Sequence, residues 1–211
     1  MLKAMVLVAG LTLSIVLPIG SNAAQPGSVF GLELQEPLTI PQCPYETDHD
    51  KAIYLWPAAG ACYELPSGDA PGEIDASRIV DEVPADGPVV IVWQVADKPA
   101  IVSGRGAMAQ MAAGKLQRVV FETKGVGSQE EVYDTLMHQF GAATSTQRVP
   151  LEGAPTSASP MLAKWTLDQV DVLFYSAVEG PDRGVVSISA HPSTSRMSTA
   201  SSKAFWVRDH S

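Results

Sequence analysis

The chain is poor in the residues that build metal and redox centres. It holds two cysteines, Cys43 and Cys62, and four histidines, at 49, 138, 191 and 210. There is no C-x-x-C pair, and no two histidines fall at a spacing that would put them on one face of the same element, so neither a zinc motif nor any other metal or cofactor signature is expected. Basic residues are scarce too. The 14 Lys and Arg stand against 23 Asp and Glu, a formal charge of −9. Lys115, Arg118 and Lys124 come closest to a basic stripe, and they are spread over a predicted strand and the loop after it. This balance argues against nucleic acid and anionic lipid as partners; it suits solubility, or attraction to a basic protein.

Long apolar runs are missing apart from one near the start. Lys3 precedes the run Val6 to Leu17, which is followed by Pro18-Ile19-Gly20 and the small residues Ser21-Asn22-Ala23-Ala24. This is the layout of a secretory signal peptide, and the run is shorter than the roughly 20 residues that span a bilayer. Cleavage after Ala23 or Ala24 is expected, giving a periplasmic or secreted protein with no stable membrane anchor. A lipoprotein would carry a cysteine directly after the run, whereas the first is Cys43. Loss of Lys3 with the leader makes the mature chain one unit more negative than the −9 of the whole. The expected organisation is a signal peptide over 1–23, a single domain over 24–191 and a Ser/Thr-rich tail over 192–211.

Export places Cys43 and Cys62 where thiols pair, so a disulfide is the natural inference. A metal site or a reactive thiol is the competing reading, with His49 the lone histidine between them. Closing a loop of about 20 residues stabilises a fold by roughly 3 kcal/mol in the chain-entropy picture.

Beyond the leader, periodicity predicts mostly strands. Phe30, Leu32 and Leu34 alternate in a Pro/Gly-rich stretch, limited to an edge by Pro37 and Pro41. Ala52 to Trp56 and the region around Cys62-Tyr63 read as two strands of a hairpin about a Pro57–Gly60 turn. Residues 66–87 read as a long loop with a helical turn near Ser77 to Asp81. Val89–Val95, Ala107–Met111 and Leu116–Thr123 follow as an antiparallel meander, with Leu116, Arg118, Val120 and Glu122 on one face of the last strand. Ser128 with Glu131 three residues on predicts a capping box. From there Val132, Tyr133, Leu136, Met137 and Phe140 mark a helix ended by Gly141. Strands over Ser145–Leu151, Pro160–Leu167, Val170–Ala177 and Val185–Ala190 complete an α+β class: a largely antiparallel sheet with one main helix packed on it.

The run Gly114-Lys115-Leu116 through Val119-Val120-Phe121, then Gln129-Glu130-Glu131-Val132 and Phe140-Gly141-Ala142, resembles a β-hairpin-helix unit that recurs in small exported bacterial proteins. The resemblance implies that local structure and an envelope setting. It carries no catalytic residue to transfer.

Candidate chemistry is thin. Ser103, in Val102-Ser103-Gly104-Arg105-Gly106, is the serine best placed for nucleophilic attack, but the G-x-S-x-G elbow lacks its first glycine and no helix follows. Lys124-Gly125-Val126-Gly127-Ser128 precedes a helix N-terminus but matches neither phosphate-binding pattern. Glu130-Glu131 and Asp168 with Asp171 sit at a helix start and a hairpin turn. No catalytic residue is assigned. The sequence instead suggests a non-catalytic protein-protein interaction module, an inhibitor, immunity factor or secretion accessory, whose partner is another envelope or secreted protein. Strand addition at an open sheet edge would be one mode of contact, and Phe205-Trp206-Val207 an apolar anchor in the tail. An exposed Trp56 would serve the same end. The alternatives are a small-molecule-binding protein with a pocket framed by Tyr54, Tyr175 or Arg105, and a hydrolase around Ser103 with a histidine in reach.

Overall fold

A computed structural model describes residues 27–67, 73–80, 82–149 and 159–191. The leader at 1–23 and the tail at 192–211, with Phe205, Trp206 and Val207, lie outside the described residues.

The element order begins with short strands β1 (Ser28–Val29), β2 (Leu32–Glu33), β3 (Tyr45–Asp48), β4 (Lys51–Tyr54), β5 (Ala61–Glu64) and β6 (Glu73–Asp75). The longer strands β7 (Gly87–Trp93), β8 (Gly106–Ala112) and β9 (Lys115–Thr123) lead into helix α1 (Gln129–Phe140). Then come β10 (Ser145–Arg148), β11 (Met161–Thr166), β12 (Val170–Tyr175) and β13 (Gly184–Ala190). One eight-stranded sheet has the order β10-β11-β12-β13-β9-β8-β7-β5, with every pairing antiparallel. The α+β class read from the periodicity is therefore the observed one.

Two meanders build this sheet, and α1 carries the chain from one to the other. β7, β8 and β9 pair in sequence; α1 then delivers the chain to the far edge at β10, and β11, β12 and β13 pair back until β13 meets β9. The inner face of the sheet is apolar: Val89, Ile91, Ala109, Phe121, Val186, Ile188, Val172, Phe174, Ala163 and Trp165 are all buried. Two covers share it. Val132, Leu136 and Phe140 of α1 are buried at one end, where the Trp165 indole donates to the Gly141 carbonyl at 2.8 Å. At the other end the β1–β2 hairpin sets Phe30 edge-on to Trp93 and Phe121, at 6.4 and 5.4 Å between ring centroids. Phe30 and Gly31 form its two-residue turn, with φ of 51° and 81°, the mirror-image turn that tight hairpins favour. Gln139 of α1 joins the covers by donating to the Ser28 carbonyl at 2.7 Å.

Three details depart from the sequence reading. The strands at 51–54 and 61–64 do not pair as a hairpin: β4 lies between β3 and β6 in a separate three-stranded sheet, while β5 pairs with β7. In β9, Leu116 shares the buried face with Val119, Phe121 and Thr123, because a β-bulge opposite Gln110 and Met111 adds a residue and flips the alternation. Ser128 occupies the N-cap position without a side-chain cap; its hydroxyl turns back to the Gly125 carbonyl at 3.4 Å, within a 3-10 turn over Gly125–Ser128. Gln129 anchors that helix end instead. Its buried carbonyl oxygen accepts from the Ser176 hydroxyl at 2.8 Å and the Met161 amide at 3.1 Å.

Candidate functional site

The two cysteines are joined, with the Cα atoms 4.8 Å apart and a sequence separation of 19. The bridge holds the segment before β3 against β5. Cys43 donates its amide to the Tyr63 carbonyl at 2.8 Å, and Tyr63 donates its own to the Pro41 carbonyl at 2.9 Å. Both outward backbone groups of Tyr63 are thus used, so this edge of the large sheet is closed.

The outer face of the sheet carries the most site-like geometry. The register aligns one row across all eight strands: Glu64, Val90, Met108, Val120, Ser187, Leu173, Lys164 and Ser145. Its centre is apolar and only half-buried at Val90, Met108 and Val120, while Leu173 is 45% exposed. A hollow of about 310 Å³ sits on this face, lined by Val90, Met108 and Val120 with Ser103, Arg105 and Glu122 among its polar walls. Gly106, beside it, has to be glycine: a Cβ there would lie 2.0 Å from the Ile91 carbonyl oxygen of β7.

Arg105 is the hinge of the arrangement. Its Nη2 donates to Glu64 Oε1 at 2.5 Å, and its guanidinium stacks on the Trp56 ring, 5.2 Å from the centroid. Glu64 is almost wholly buried, which is costly for a carboxylate unless a cation answers it. Burial pushes its carboxyl above the ordinary range, and the charge and hydrogen bond of Arg105 pull it part of the way back. Arg105 Nε is buried without a partner among the described residues. Trp56 is 52% exposed, and Ile53 on β4 and Leu55 after it are exposed as well. On the opposite wall, Glu122 is held by Arg183, which donates through Nε at 3.0 Å and through Nη2. Lys98 closes the loop beneath by donating to the Gly104 carbonyl at 2.8 Å.

The sequence-predicted candidates separate here. Arg105 and Ser103 both line the hollow, and Trp56 touches Arg105. Tyr54 is instead buried, its hydroxyl taken up by Gln42 Nε2 at 3.0 Å and the Leu65 amide at 3.4 Å. Tyr175 is on the outer face but does not line the hollow. His49 bonds Asp48, His191 bonds Asp171 and the Asp168 carbonyl, and His138 is exposed on α1, so none of these histidines hydrogen-bonds Ser103. Among the described residues no group of three or more His, Cys, Asp or Glu side chains converges as a metal site would require, and no helix is long and apolar enough to cross a membrane. The loop at 124–128 serves the fold: Gly125, at φ 71°, lies where a Cβ would come within 2.1 Å of the Pro181 carbonyl.

Sequence reasoning missed Glu64, whose only signal was an acidic residue in an otherwise apolar strand, and the apolar outer row, because Val90, Met108 and Val120 are the residue types that also build a core. No protein-family model, curated protein or solved structure matches this chain.

Proposed function

We propose that the protein is an exported, non-catalytic interaction module that receives another envelope or secreted protein on the outer face of its large sheet. The observation that carries this reading is the exposed Trp56 stacked on Arg105, which is itself clamped by buried Glu64. Tryptophan and arginine are the residues most often found at the energetic centre of interfaces, and a clamped pair loses little freedom on binding. The neighbouring hollow, with its apolar floor of Val90, Met108 and Val120, suits an apolar side chain of the partner. In the same reading Phe205, Trp206 and Val207 supply a second contact.

The test is affinity capture by the tagged mature protein from its native envelope, comparing wild type with Trp56→Ala, Met108→Glu, a His138→Ala control and a chain lacking 192–211. The reading predicts one partner kept by wild type and the control and lost by both outer-face variants. Loss only on removing 192–211 would move the interface to the tail. A partner kept by every variant would overturn the reading.

A second reading, a small-molecule-binding protein, is favoured by the hollow itself, whose volume of about 310 Å³ is near the lower end for ligand pockets. Native mass spectrometry showing a co-purifying small molecule that Arg105→Met releases would favour it over a protein partner.

A further inference from the structure

The two edges of the eight-stranded sheet are unlike. The β5 edge is closed by Pro41 to Cys43 and locked by the disulfide. At the β10 edge all four residues are exposed, and among the described residues no strand pairs with its outer side. The phase of its hydrogen bonding follows from its neighbours. Val149 donates to the Pro160 carbonyl at 2.8 Å, and the register pairs Gln147 with Leu162 and Ser145 with Lys164. In an antiparallel ladder the bonded pairs alternate, so 145, 147 and 149 turn their backbone groups to β11, while Thr146 and Arg148 turn theirs outward. Met161 and Ala163, opposite Arg148 and Thr146, correspondingly face β12, as the Ser176 amide bond to the Met161 carbonyl at 2.9 Å requires.

The flank of α1 overhangs this edge. Glu130 pairs with Arg148, and the Tyr133 hydroxyl lies 3.3 Å from Thr146 Oγ1. One turn further along the same flank come Asp134 and Met137, both exposed. A strand added at β10 would therefore run beneath a border on which Glu130 already answers Arg148, Asp134 offers a carboxylate, and Tyr133 and Met137 offer apolar surface. Edges left open in this way are commonly guarded by charged side chains, proline or a bulge; β10 contains no proline, and its one charged side chain, Arg148, is drawn to Glu130 of α1.

We infer that the β10 edge is a strand-addition site for an extended segment of another protein whose backbone pairs with Thr146 and Arg148 and whose side chains turned toward α1, at every second residue, include apolar groups for Tyr133 and Met137 and a basic group for Asp134. This surface is separate from the Trp56 face and stands or falls independently of it.

The test uses the mature protein and a short synthetic peptide in which valine and lysine take turns at every second position with serine between them, with binding followed by fluorescence anisotropy. A second peptide of the same sequence is N-methylated at alternate backbone amides, which keeps the charge but prevents pairing, and a third has glutamate in place of lysine. Thr146→Pro removes an outward amide without touching the bonds to β11, and Thr146→Val keeps the amide while removing the hydroxyl. Circular dichroism confirms that both variants fold. Saturable binding of the lysine peptide is expected, weakened about tenfold or more by methylation, by glutamate and by Thr146→Pro, and little changed by Thr146→Val. Equal binding of the methylated peptide would reduce the effect to charge attraction and overturn the proposal. Absence of binding would overturn it too, and a dimer of the protein alone, abolished by Thr146→Pro, would then make a second copy the occupant. Should Thr146→Pro fail to fold, the methylated peptide still decides.

Discussion

Arg105 reaches across the outer face to Glu64 at 2.5 Å and so answers a carboxyl group in a place that little water reaches. The pair joins β5 to the start of β8, and it positions Trp56. Removing the cation should cost more than removing the charge pair together. Arg105→Met is expected to destabilise the fold by roughly 2 kcal/mol or more, less than the about 3–5 of a fully buried pair because the guanidinium is partly solvent-facing. Arg105→Met combined with Glu64→Gln should recover part of that loss. Denaturant unfolding of the single and double variants checks both.

The same pair predicts a pH dependence. The Glu64 carboxyl is raised above its unfolded value, so the native state holds that proton more tightly. Its contribution to stability is present in full below the ordinary carboxyl range and is lost as pH rises through the raised native value. Glu64→Gln should remove this component. Arg105→Met should push the carboxyl still higher and extend the loss to higher pH. Unfolding free energies across acid to neutral pH, with the Glu64 carboxyl followed by NMR, distinguish these outcomes.

Two glycines with nearly equal φ should respond differently to alanine. Gly114, at φ 74°, has open space around a built Cβ, whereas Gly125, at φ 71°, would place one 2.1 Å from the Pro181 carbonyl. Gly114→Ala should therefore cost only about 1 kcal/mol of backbone strain, and Gly125→Ala well above about 2 kcal/mol, since β9 would be forced from the β12–β13 turn. Thermal unfolding of the two variants measures the difference.

Reduction should act on one edge of the sheet. Breaking the bridge between Cys43 and Cys62, which spans 19 positions, is expected to cost about 3 kcal/mol. The Tyr63 amide, bonded to the Pro41 carbonyl, should lose hydrogen-exchange protection first. Exchange with and without reductant tests this, and uniform loss of protection would show the bridge to be global instead.

Gln129 offers a check on how α1 is held. Its side chain bonds buried Ser176 and the Met161 amide, so Gln129→Ala should cost about 1–3 kcal/mol and Ser128→Ala much less, because the Ser128 hydroxyl caps no helix amide.

The composition and periodicity of this chain determined much of its local structure. The helix from 129 to 140 with its glycine stop, the β7–β8–β9 meander, the β11–β12 hairpin and the pairing of Cys43 with Cys62 all follow from signals a few residues long. Contacts between distant segments were another matter. That β13 inserts between β12 and β9, that β4 and β5 enter different sheets, and that a bulge turns Leu116 inward depend on which strands bury the most apolar surface together, a sum over the whole chain. The site belongs to this second kind. Glu64, Arg105 and Trp56 carry no shared motif, and Val90, Met108 and Val120 look like core in sequence; only the tertiary structure decides that both covers lie on the inner face, leaving the outer row half-open and one sheet edge closed while the other is not.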